Sequence, residues 1–313
     1  MTDSSAQINI NGSKHSKMSD DEADGPGLSR IAVPVTGILG DEGITISEQA
    51  MISPKLSYPR HRATVKGLNC RGYCLLINER RFDNRFGLNE RFGTDIDANR
   101  LEKLFRCLGF YVRRFNDISR DDLRDLLEDT AENYPPNAEC FVCIILTHGA
   151  CEGSPRSRRS VLFMKDGNIP LTDVINCFRC GQCRSLLGKP KIFFVQACDG
   201  DVQKSSSGKD ATFRTANVLK LPIESDILLV YSSVPGCLSW GGRLPVSRTT
   251  NNGSWFVQEL CNVLQADADA EIHHDIVTLL LSVVRQVRDK CPPNSRTISF
   301  ASTLTRLMYL TRN

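Results

Sequence analysis

The sequence predicts an α/β protein built on a mostly parallel β-sheet with helices packed against it. Short continuous apolar runs, each closed by turn residues, are typical of strands buried on both faces of a sheet. These runs alternate along the chain with stretches of helical periodicity, as in βαβ units. The 313 residues, 41% of them hydrophobic, are enough to bury one large core or two modest ones.

The predicted elements begin after a polar N-terminal stretch. Six main strands are predicted at 72–78, 110–115, 140–146, 192–195, 226–232 and 302–310, with a shorter one at 161–164. Five helices are predicted at 94–108, 119–132, 171–178, 253–264 and 274–288. Hydroxyl N-caps at Thr94 and Ser119, each followed by acidic residues in the first turn, begin two of these helices. Gly109 and the prolines at 135–136 end them.

Charge and hydropathy argue against two classes of partner. The formal net charge of +3 gives no reason to expect nucleic acid or a membrane surface. The longest apolar stretch, 277–284, is far shorter than the roughly 20 residues needed to span a bilayer. The first residues lack the basic start and the apolar core of a secretory signal. We therefore expect a cytoplasmic protein.

The thirteen cysteines are expected to be reduced, structural thiols. Cys140 and Cys143 lie three apart on one predicted strand, so their side chains point to opposite faces and cannot share an ion. A C-x2-C-x2-C run at 177–183 resembles iron–sulfur spacing, but Leu187 stands where the fourth cysteine belongs. No complementary histidine or cysteine pair follows, so no metal site is predicted.

One stretch, 189–200, ends a predicted buried strand in a polar turn that carries Cys198. Taken alone, Cys198 is more simply interpreted as a buried small side chain. His148 ends another predicted buried strand, however, and both are expected at the same sheet edge, where α/β proteins bind ligands. An imidazole near a thiol promotes thiolate formation and can protonate a leaving amine. Gly149 and Gly200 leave room for N–H groups aimed at an oxyanion. A Cys/His catalytic dyad is therefore favoured.

Several ordered motifs make the chain resemble the caspases, the Asp-directed cysteine endopeptidases of apoptosis. They are ERFGTDIDANRL, the His-Gly pair, GKPKIFFVQACDG, YSSVPG, SWGG and NNGSWFVQEL, spread over about 72–310. The QAC-x-G pattern with a histidine about fifty residues upstream is the known family signature. The resemblance implies a caspase-like three-layer sandwich, with about six mostly parallel strands, helices on both faces and no cofactor.

The resemblance also implies a role for each matching residue. Cys198 would be the nucleophile and His148 the general base and acid. The backbone amides of Gly149 and Cys198 would form the oxyanion hole. Arg91 and Gln196 match residues lining the pocket for the substrate's P1 aspartate, the residue just before the cut bond. Trp240 matches an aromatic side chain that flanks the neighbouring subsites.

The family layout implies proteolytic processing into two subunits. Asp24 and Asp210 are the candidate processing sites, and no recruitment domain fits before the catalytic region, as in executioner members. Four segments follow: a mobile N-terminal prodomain at 1–65, a large-subunit region at 66–200, an inter-subunit linker at 201–221 and a small-subunit region at 222–313.

The implied partners are proteins. Substrates with a P1 aspartate are expected, together with apoptosis inhibitor proteins. Family members pair through their last strand, so this chain would pair with itself or with another caspase through the predicted strand 302–310.

Two substitutions depart from the family pattern. Asp199 follows the nucleophile where the family has Arg, Gln or Gly, and a carboxylate there disfavours the thiolate. Gly241 replaces an arginine that helps to hold the P1 carboxylate, and Arg243 is the candidate substitute. Two functions therefore stay open. One is an endopeptidase with a weakened or altered pocket, which the intact dyad favours. The other is a catalytically deficient homologue, a decoy or regulator that pairs with an active caspase.

Overall fold

A computed structural model describes residues 56–152, 159–179, 181–199, 224–232, 253–290 and 298–311, and for Cys198 and Asp199 the main chain alone. Within these ranges the strands are β1 Ala63–Val65, β2 Leu68–Cys70, β3 Tyr73–Asn78, β4 Tyr111–Asn116, β5 Phe141–Glu152, β6 Arg159–Phe163, β7 Asn168–Pro170, β8 Lys191–Asp199, β9 Ile227–Tyr231 and β10 Ser299–Ser302. The helices of the same ranges are α1 Thr94–Cys107, α2 Arg120–Glu132, α3 Leu171–Asn176, α4 Trp255–Ala268 and α5 Ile276–Lys290.

The central sheet has the strand order β10-β9-β8-β5-β3-β4. Neighbouring strands along this path are parallel except β9 and β10, which are antiparallel. β6 and β7 extend from the far end of β5 as antiparallel additions. The predicted six-stranded, mostly parallel sheet is therefore confirmed.

Helices cover both faces of this sheet, which confirms the predicted three-layer sandwich. The buried faces of α1, α4 and α5 share one core with alternate strand residues such as Leu76 and Phe194. The other alternate residues, such as Ile77 and Val195, pack with α2 and α3 in the second core. Cys140 belongs to the first core and Cys143 to the second, as their spacing predicts. Each central strand is buried on both faces, which explains its continuous apolar sequence.

The prediction of a mobile tail up to residue 65 is wrong for its last part, 56–65. The buried Tyr58 donates a hydrogen bond from its hydroxyl to Asp226 Oδ1 at 2.5 Å, and from its amide to Leu307 O at 3.0 Å. β1 pairs with β2 in a small separate sheet. These contacts are with distant parts of the chain, so no local periodicity marks them. The rest of the predicted tail lies outside the described residues.

The last strand is also shorter and earlier than the predicted 302–310. β10 ends at Ser302; Thr303 still bonds to β9, its amide donating to Ile227 O at 2.8 Å, and the residues after it are not in a strand. The apolar side chains that suggested a strand, Met308 and Leu310, are buried as irregular chain against the core that contains α5. Among the described strands, β10 lies at one edge of the central sheet, so the predicted pairing would involve Ser299–Ser302.

Of the helices in these ranges, none combines the length and the apolar composition that crossing a bilayer requires.

Candidate active site

The candidate catalytic pair lies on two adjacent central strands. β5 and β8 are parallel, and in their register His148 is the direct partner of Cys198, and Gly149 of Asp199. Neighbouring strands lie about 4.8 Å apart, so the main-chain ladder brings the two residues together. The expectation that His148 ends its strand is wrong, because residues 149–152 continue β5 by pairing with β6.

The imidazole of His148 is held by the loop 79–92, which joins β3 to α1. Its Nε2 lies 2.8 Å from the carbonyl oxygen of Asn89. A carbonyl can only accept, so the proton of the neutral ring is on Nε2 and Nδ1 is the basic nitrogen. The ring of Phe82 packs beside the imidazole, with the ring centroids 5.0 Å apart. Sequence reasoning missed Asn89, since a backbone carbonyl leaves no trace in the residue type.

The same loop is fixed by an apolar cluster of its own. Three side chains of the loop pack against three of the β5–β6 pair: Phe82, Phe86 and Leu88 against Ala150, Val161 and Phe163. The amide of Asp83 also donates to Lys165 O at 2.8 Å. The loop that orients His148 is thereby attached to the strand that carries His148.

Arg91, a predicted substrate-binding residue, ends this loop and is 1% exposed. Its Nη1 donates to Glu79 O at 2.6 Å and to Thr94 Oγ1 at 2.7 Å. The Thr94 hydroxyl donates in turn to Asn78 Oδ1 at 2.8 Å. The prediction that Thr94 is an N-cap is wrong: Gly93, in the left-handed region, precedes α1, and the Thr94 side chain holds Arg91 instead.

The protonation state of the nearby Glu79 carboxyl determines whether the positive charge of Arg91 is offset. This carboxyl is fully buried, and the loss of hydration raises its pKa to about 8. Its Oε1 accepts a hydrogen bond from the Ile118 amide at 3.0 Å. Below that pKa the carboxyl is mostly neutral, so it does not cancel the positive charge of Arg91 at neutral pH. The arrangement suits an anionic ligand.

Gln196, the other predicted pocket residue, lies on β8 two positions before Cys198 and is 3% exposed. Alternate side chains of a strand share a face, so Gln196 points to the same side of the sheet as Ile192 and Phe194. The core on that side includes α1. Within the described part of the chain, Gln196 Oε1 accepts no hydrogen bond, which leaves it an acceptor for a ligand donor.

The remaining candidate residues lie outside the described ranges: Trp240, Gly241, Arg243, Asp24 and Asp210. Ser232 is the last described residue before the segment that carries the first three, and its amide donates to Val195 O at 3.0 Å. Among the described residues, no three His, Cys, Asp or Glu side chains are close enough together to hold a metal ion.

Comparison with known proteins identifies the family of the chain. The family model described as the caspase domain matches residues 71–309. Caspase-7 of Gallus gallus is 40% identical over 200 residues, which cover 62% of this chain and 60% of the relative. Caspase-3 of Mesocricetus auratus is 37% identical and caspase-3 of Mus musculus 36% identical, with coverage of 62% of this chain and 65% of each relative. The chain thus spans less than two thirds of the length of the curated relatives it matches.

Proposed function

Because the chain belongs to the caspase family, we propose that it is a cysteine endopeptidase that cleaves proteins after aspartate in apoptotic signalling. The observation that carries this proposal is the register of β5 and β8, which makes His148 and Cys198 direct neighbours. The buried Arg91, held at the end of the loop that orients His148, supplies the charge for an acidic substrate residue.

In the proposed reaction Nδ1 of His148 takes the proton of the Cys198 thiol. The thiolate attacks the carbonyl carbon after the P1 aspartate, and the amides of Gly149 and Cys198 stabilise the oxyanion. His148 then protonates the leaving amine, which leaves a thioester on Cys198. A water molecule, deprotonated by His148, hydrolyses this thioester and restores the thiol. The Asn89 carbonyl keeps the imidazole in the required tautomer.

Arg91 and Gln196 are the proposed contacts of the P1 aspartate, and Trp240 the proposed wall of the neighbouring subsites. A buried guanidinium can bind a carboxylate through two parallel hydrogen bonds. The neutral state of Glu79 at pH 7 supports this role, because an ionised Glu79 would compete with the substrate for Arg91.

The pocket is proposed to be weakened by Gly241, where caspases have arginine. Losing one charged partner of a buried carboxylate costs about 2–5 kcal/mol, or roughly 30- to several-thousand-fold in kcat/KM. Arg243, two residues further on, is the proposed substitute. Asp199 adds a second effect, since a carboxylate next to the nucleophile disfavours the thiolate.

Two aspartates are the proposed processing sites. Asp210 in the linker 201–221 would be cut to give the large and small subunits, and Asp24 to remove the prodomain. The packed residues from Leu56 onward would remain with the large subunit. The action of such an enzyme would be cytoplasmic, and apoptosis inhibitor proteins are proposed partners.

A second candidate function is supported by Gly241 and by β10. A homologue with a poor pocket would act as a decoy or regulator by pairing with an active caspase through the edge strand β10, Ser299–Ser302. Unpaired edges of sheets are the usual sites of strand addition between chains.

Turnover of short peptides separates the two functions. The linker-cleaved protein is assayed with Asp, Glu or a neutral residue at P1, alongside Cys198→Ala, Gly241→Arg and Arg243→Ala. We expect slow cleavage after Asp that is lost in Cys198→Ala, increases in Gly241→Arg and collapses in Arg243→Ala. Wild-type turnover equal to that of Cys198→Ala would refute the endopeptidase function.

The decoy function is tested by co-purification with an active caspase. Pairing that is lost when β10 is disrupted by Ala301→Pro would support it, because proline removes a main-chain donor and breaks the strand. Failure of the protein to pair with any active caspase would contradict the decoy function.

A further inference from the structure

A series of hydrogen bonds connects the end of β3 to the guanidinium of Arg91. Asn78, the last residue of β3, is fully buried. Its Nδ2 donates to Asp95 Oδ1 at 2.8 Å and to Asn116 Oδ1 at 3.0 Å. Its Oδ1 accepts from the Thr94 hydroxyl at 2.8 Å, and the Thr94 oxygen accepts from Arg91 Nη1 at 2.7 Å. We call the series from Asp95 through Asn78 and Thr94 to Arg91 the Asn78 network.

The donor and the acceptor of each bond in the Asn78 network are fixed by the chemistry of its two ends. A carboxylate can only accept a hydrogen bond, and a guanidinium can only donate one. The Asn78 amide therefore turns its nitrogen to Asp95, which leaves its oxygen for Thr94. The Thr94 hydroxyl donates to that oxygen, so the lone pairs of Thr94 face Arg91. The network thus has a single hydrogen-bonding arrangement.

This arrangement sets the orientation of the Arg91 guanidinium. One nitrogen, Nη1, donates both to Glu79 O at 2.6 Å and to Thr94 Oγ1 at 2.7 Å. The two N–H groups of Nη1 lie in the plane of the guanidinium, so two acceptors in fixed positions define that plane. Glu79 O belongs to the main chain, which the Glu79 amide attaches to β5 by donating to Leu146 O at 2.8 Å. Thr94 is the one of these two acceptors that is a side chain, and Asn78 holds it.

A guanidinium with a fixed orientation can distinguish acidic side chains by their length. Aspartate and glutamate carry the same charge and differ by one methylene group. Two parallel hydrogen bonds to a carboxylate need a defined position of both partners, and a rigid guanidinium offers that position at one distance from the cut bond. A guanidinium that could tilt would also accommodate the longer glutamate.

We propose that Thr94 and Asn78 are positioning residues that set the preference for aspartate over glutamate at P1. The inference rests on the proposed function, because it assigns a role within the pocket that contains Arg91. Both residues are fully buried, so they act through Arg91 and do not touch the substrate. The charge of Arg91 attracts an acidic side chain, and the Asn78 network selects its length.

The test measures kcat/KM of the linker-cleaved protein on two peptides that differ only in Asp or Glu at P1. Thr94→Val keeps the shape of the side chain and removes the hydroxyl, whereas Thr94→Ser keeps the hydroxyl. We expect the ratio of kcat/KM for Asp over Glu to fall by about tenfold in Thr94→Val and to stay within about twofold of wild type in Thr94→Ser. Equal ratios in folded Thr94→Val and wild type would overturn the proposal.

Asn78→Asp is the second variant, and it is the informative one if Thr94→Val does not fold. It keeps the size of the side chain and an acceptor for Thr94, but it puts a negative charge opposite the carboxylate of Asp95. We expect like-charge repulsion to move the side chain, so that KM rises for both peptides and the Asp-over-Glu ratio falls by about fivefold or more. A ratio equal to that of wild type would overturn the role of Asn78.

A matched control separates positioning from stability, since Asn78 and Thr94 also join β3 to α1. Thr130 on α2 is likewise buried and accepts a hydrogen bond from an arginine, Arg113 Nη1, at 3.3 Å. It lies on the opposite face of the sheet, because α2 packs in the second core and α1 in the first. We expect Thr130→Val to lose stability in urea unfolding with the Asp-over-Glu ratio unchanged. An equal fall of the ratio in Thr130→Val and Thr94→Val would make the effect one of stability and overturn the proposal.

Binding of the same peptides distinguishes failure of this proposal from failure of the proposed function. In Cys198→Ala no thioester can form, so fluorescence anisotropy gives the affinity for each labelled peptide. A preference for the Asp peptide that Thr94→Val abolishes in this background, with no turnover by wild type, would refute the endopeptidase and support the role of Thr94. Turnover after Asp with a preference that does not depend on Thr94 would overturn this proposal alone. A wild type that neither binds nor cleaves either peptide would overturn both.

Discussion

Arg71 and Glu139 form a buried ion pair that also holds the C-terminal end of the described chain. Arg71 Nε donates to Glu139 Oε2 at 3.2 Å, and Nη2 contacts the other carboxylate oxygen. The same guanidinium donates to Tyr309 O at 2.9 Å and to Leu310 O. One buried cation thus binds a residue just before β5 and a stretch of chain more than 200 residues away. It would keep the two proposed subunits together after the linker is cut.

Replacing Arg71 by methionine is expected to be strongly destabilising. The change removes the donor of two carbonyl groups and leaves the buried Glu139 carboxylate with only the longer ion pair to Arg60, whose Nε lies 3.8 Å from Oε2, at a cost of about 3–5 kcal/mol. Urea unfolding of the purified chain measures it. Arg106→Met is the control, since Arg106 makes an exposed ion pair with Glu102 one turn away, worth about 0.5 kcal/mol or less. Equal losses of stability in Arg71→Met and Arg106→Met would contradict the role assigned to Arg71.

Because Glu79 is buried, we expect the free energy of unfolding to fall as the pH rises. Its folded pKa, about 8, lies above the ordinary value of 4.5 because burial disfavours the charged form. Between these values the folded chain retains a proton that the unfolded chain has released. The free energy of unfolding therefore falls with pH, by up to about 1.4 kcal/mol per pH unit from this group.

Glu79→Gln should remove this pH dependence and be more stable than wild type at pH 7.5. The amide oxygen can still accept from the Ile118 amide, and the nearby charges of Asp117 and Arg91 are unchanged. Urea unfolding at pH 5.5, 6.5 and 7.5 measures the difference. Glu128→Gln, at an exposed position on α2, is the control and should follow wild type. A difference between Glu79→Gln and wild type that does not change with pH would refute this account.

Two glycines with positive φ should respond differently to alanine. Gly87 has φ +59° and open space where an added methyl group would lie, so Gly87→Ala should cost only the backbone strain of about 1 kcal/mol. Gly253→Ala adds a clash with Asp97, and we expect it to cost at least about 2 kcal/mol more. Thermal or urea unfolding of both variants checks this. Similar losses would mean that Asp97 moves aside easily.

Phe82 is expected to matter for the reactivity of Cys198. Its ring packs beside the His148 imidazole, whereas Phe86 of the same loop packs against Phe163 at 5.8 Å between ring centroids. Phe82→Ala should lower the iodoacetamide alkylation rate of Cys198 at pH 7 by about tenfold, since a misoriented base loses catalytic proton transfer. Phe86→Ala is the matched control, with a smaller effect expected. Equal rates in Phe82→Ala and wild type would show that Asn89 alone orients the imidazole.

Much of the fold was predictable because its signals are local. The buried strands around Leu76, Ile144 and Phe194 are continuous apolar runs, and buried parallel strands require such runs. The proximity of His148 and Cys198 could be inferred because each follows the end of an apolar run, although β5 itself continues beyond His148. Their direct register could not be inferred, because it depends on hydrogen bonds between β5 and β8, which are separated in the chain by two short strands and a helix.

The missed features depend on contacts between distant parts of the chain. Tyr58 is an isolated aromatic residue in a polar stretch, and only its bond to Asp226 reveals its place. Thr94 fits the pattern of a helix cap, but its hydroxyl accepts a hydrogen bond from the buried Arg91 instead. Met308 and Leu310 alternate like strand residues, yet they fill a core without joining the sheet. In each case the tertiary partner, rather than the local sequence, decides the conformation.

The pairing of His148 with Cys198 across β5 and β8 has a consequence for how such a protein diverges. Both reactive residues belong to the first two thirds of the chain and are set by main-chain bonds of the most buried strands. Residues elsewhere in the chain can therefore be substituted while the relative position of these two residues is inherited unchanged.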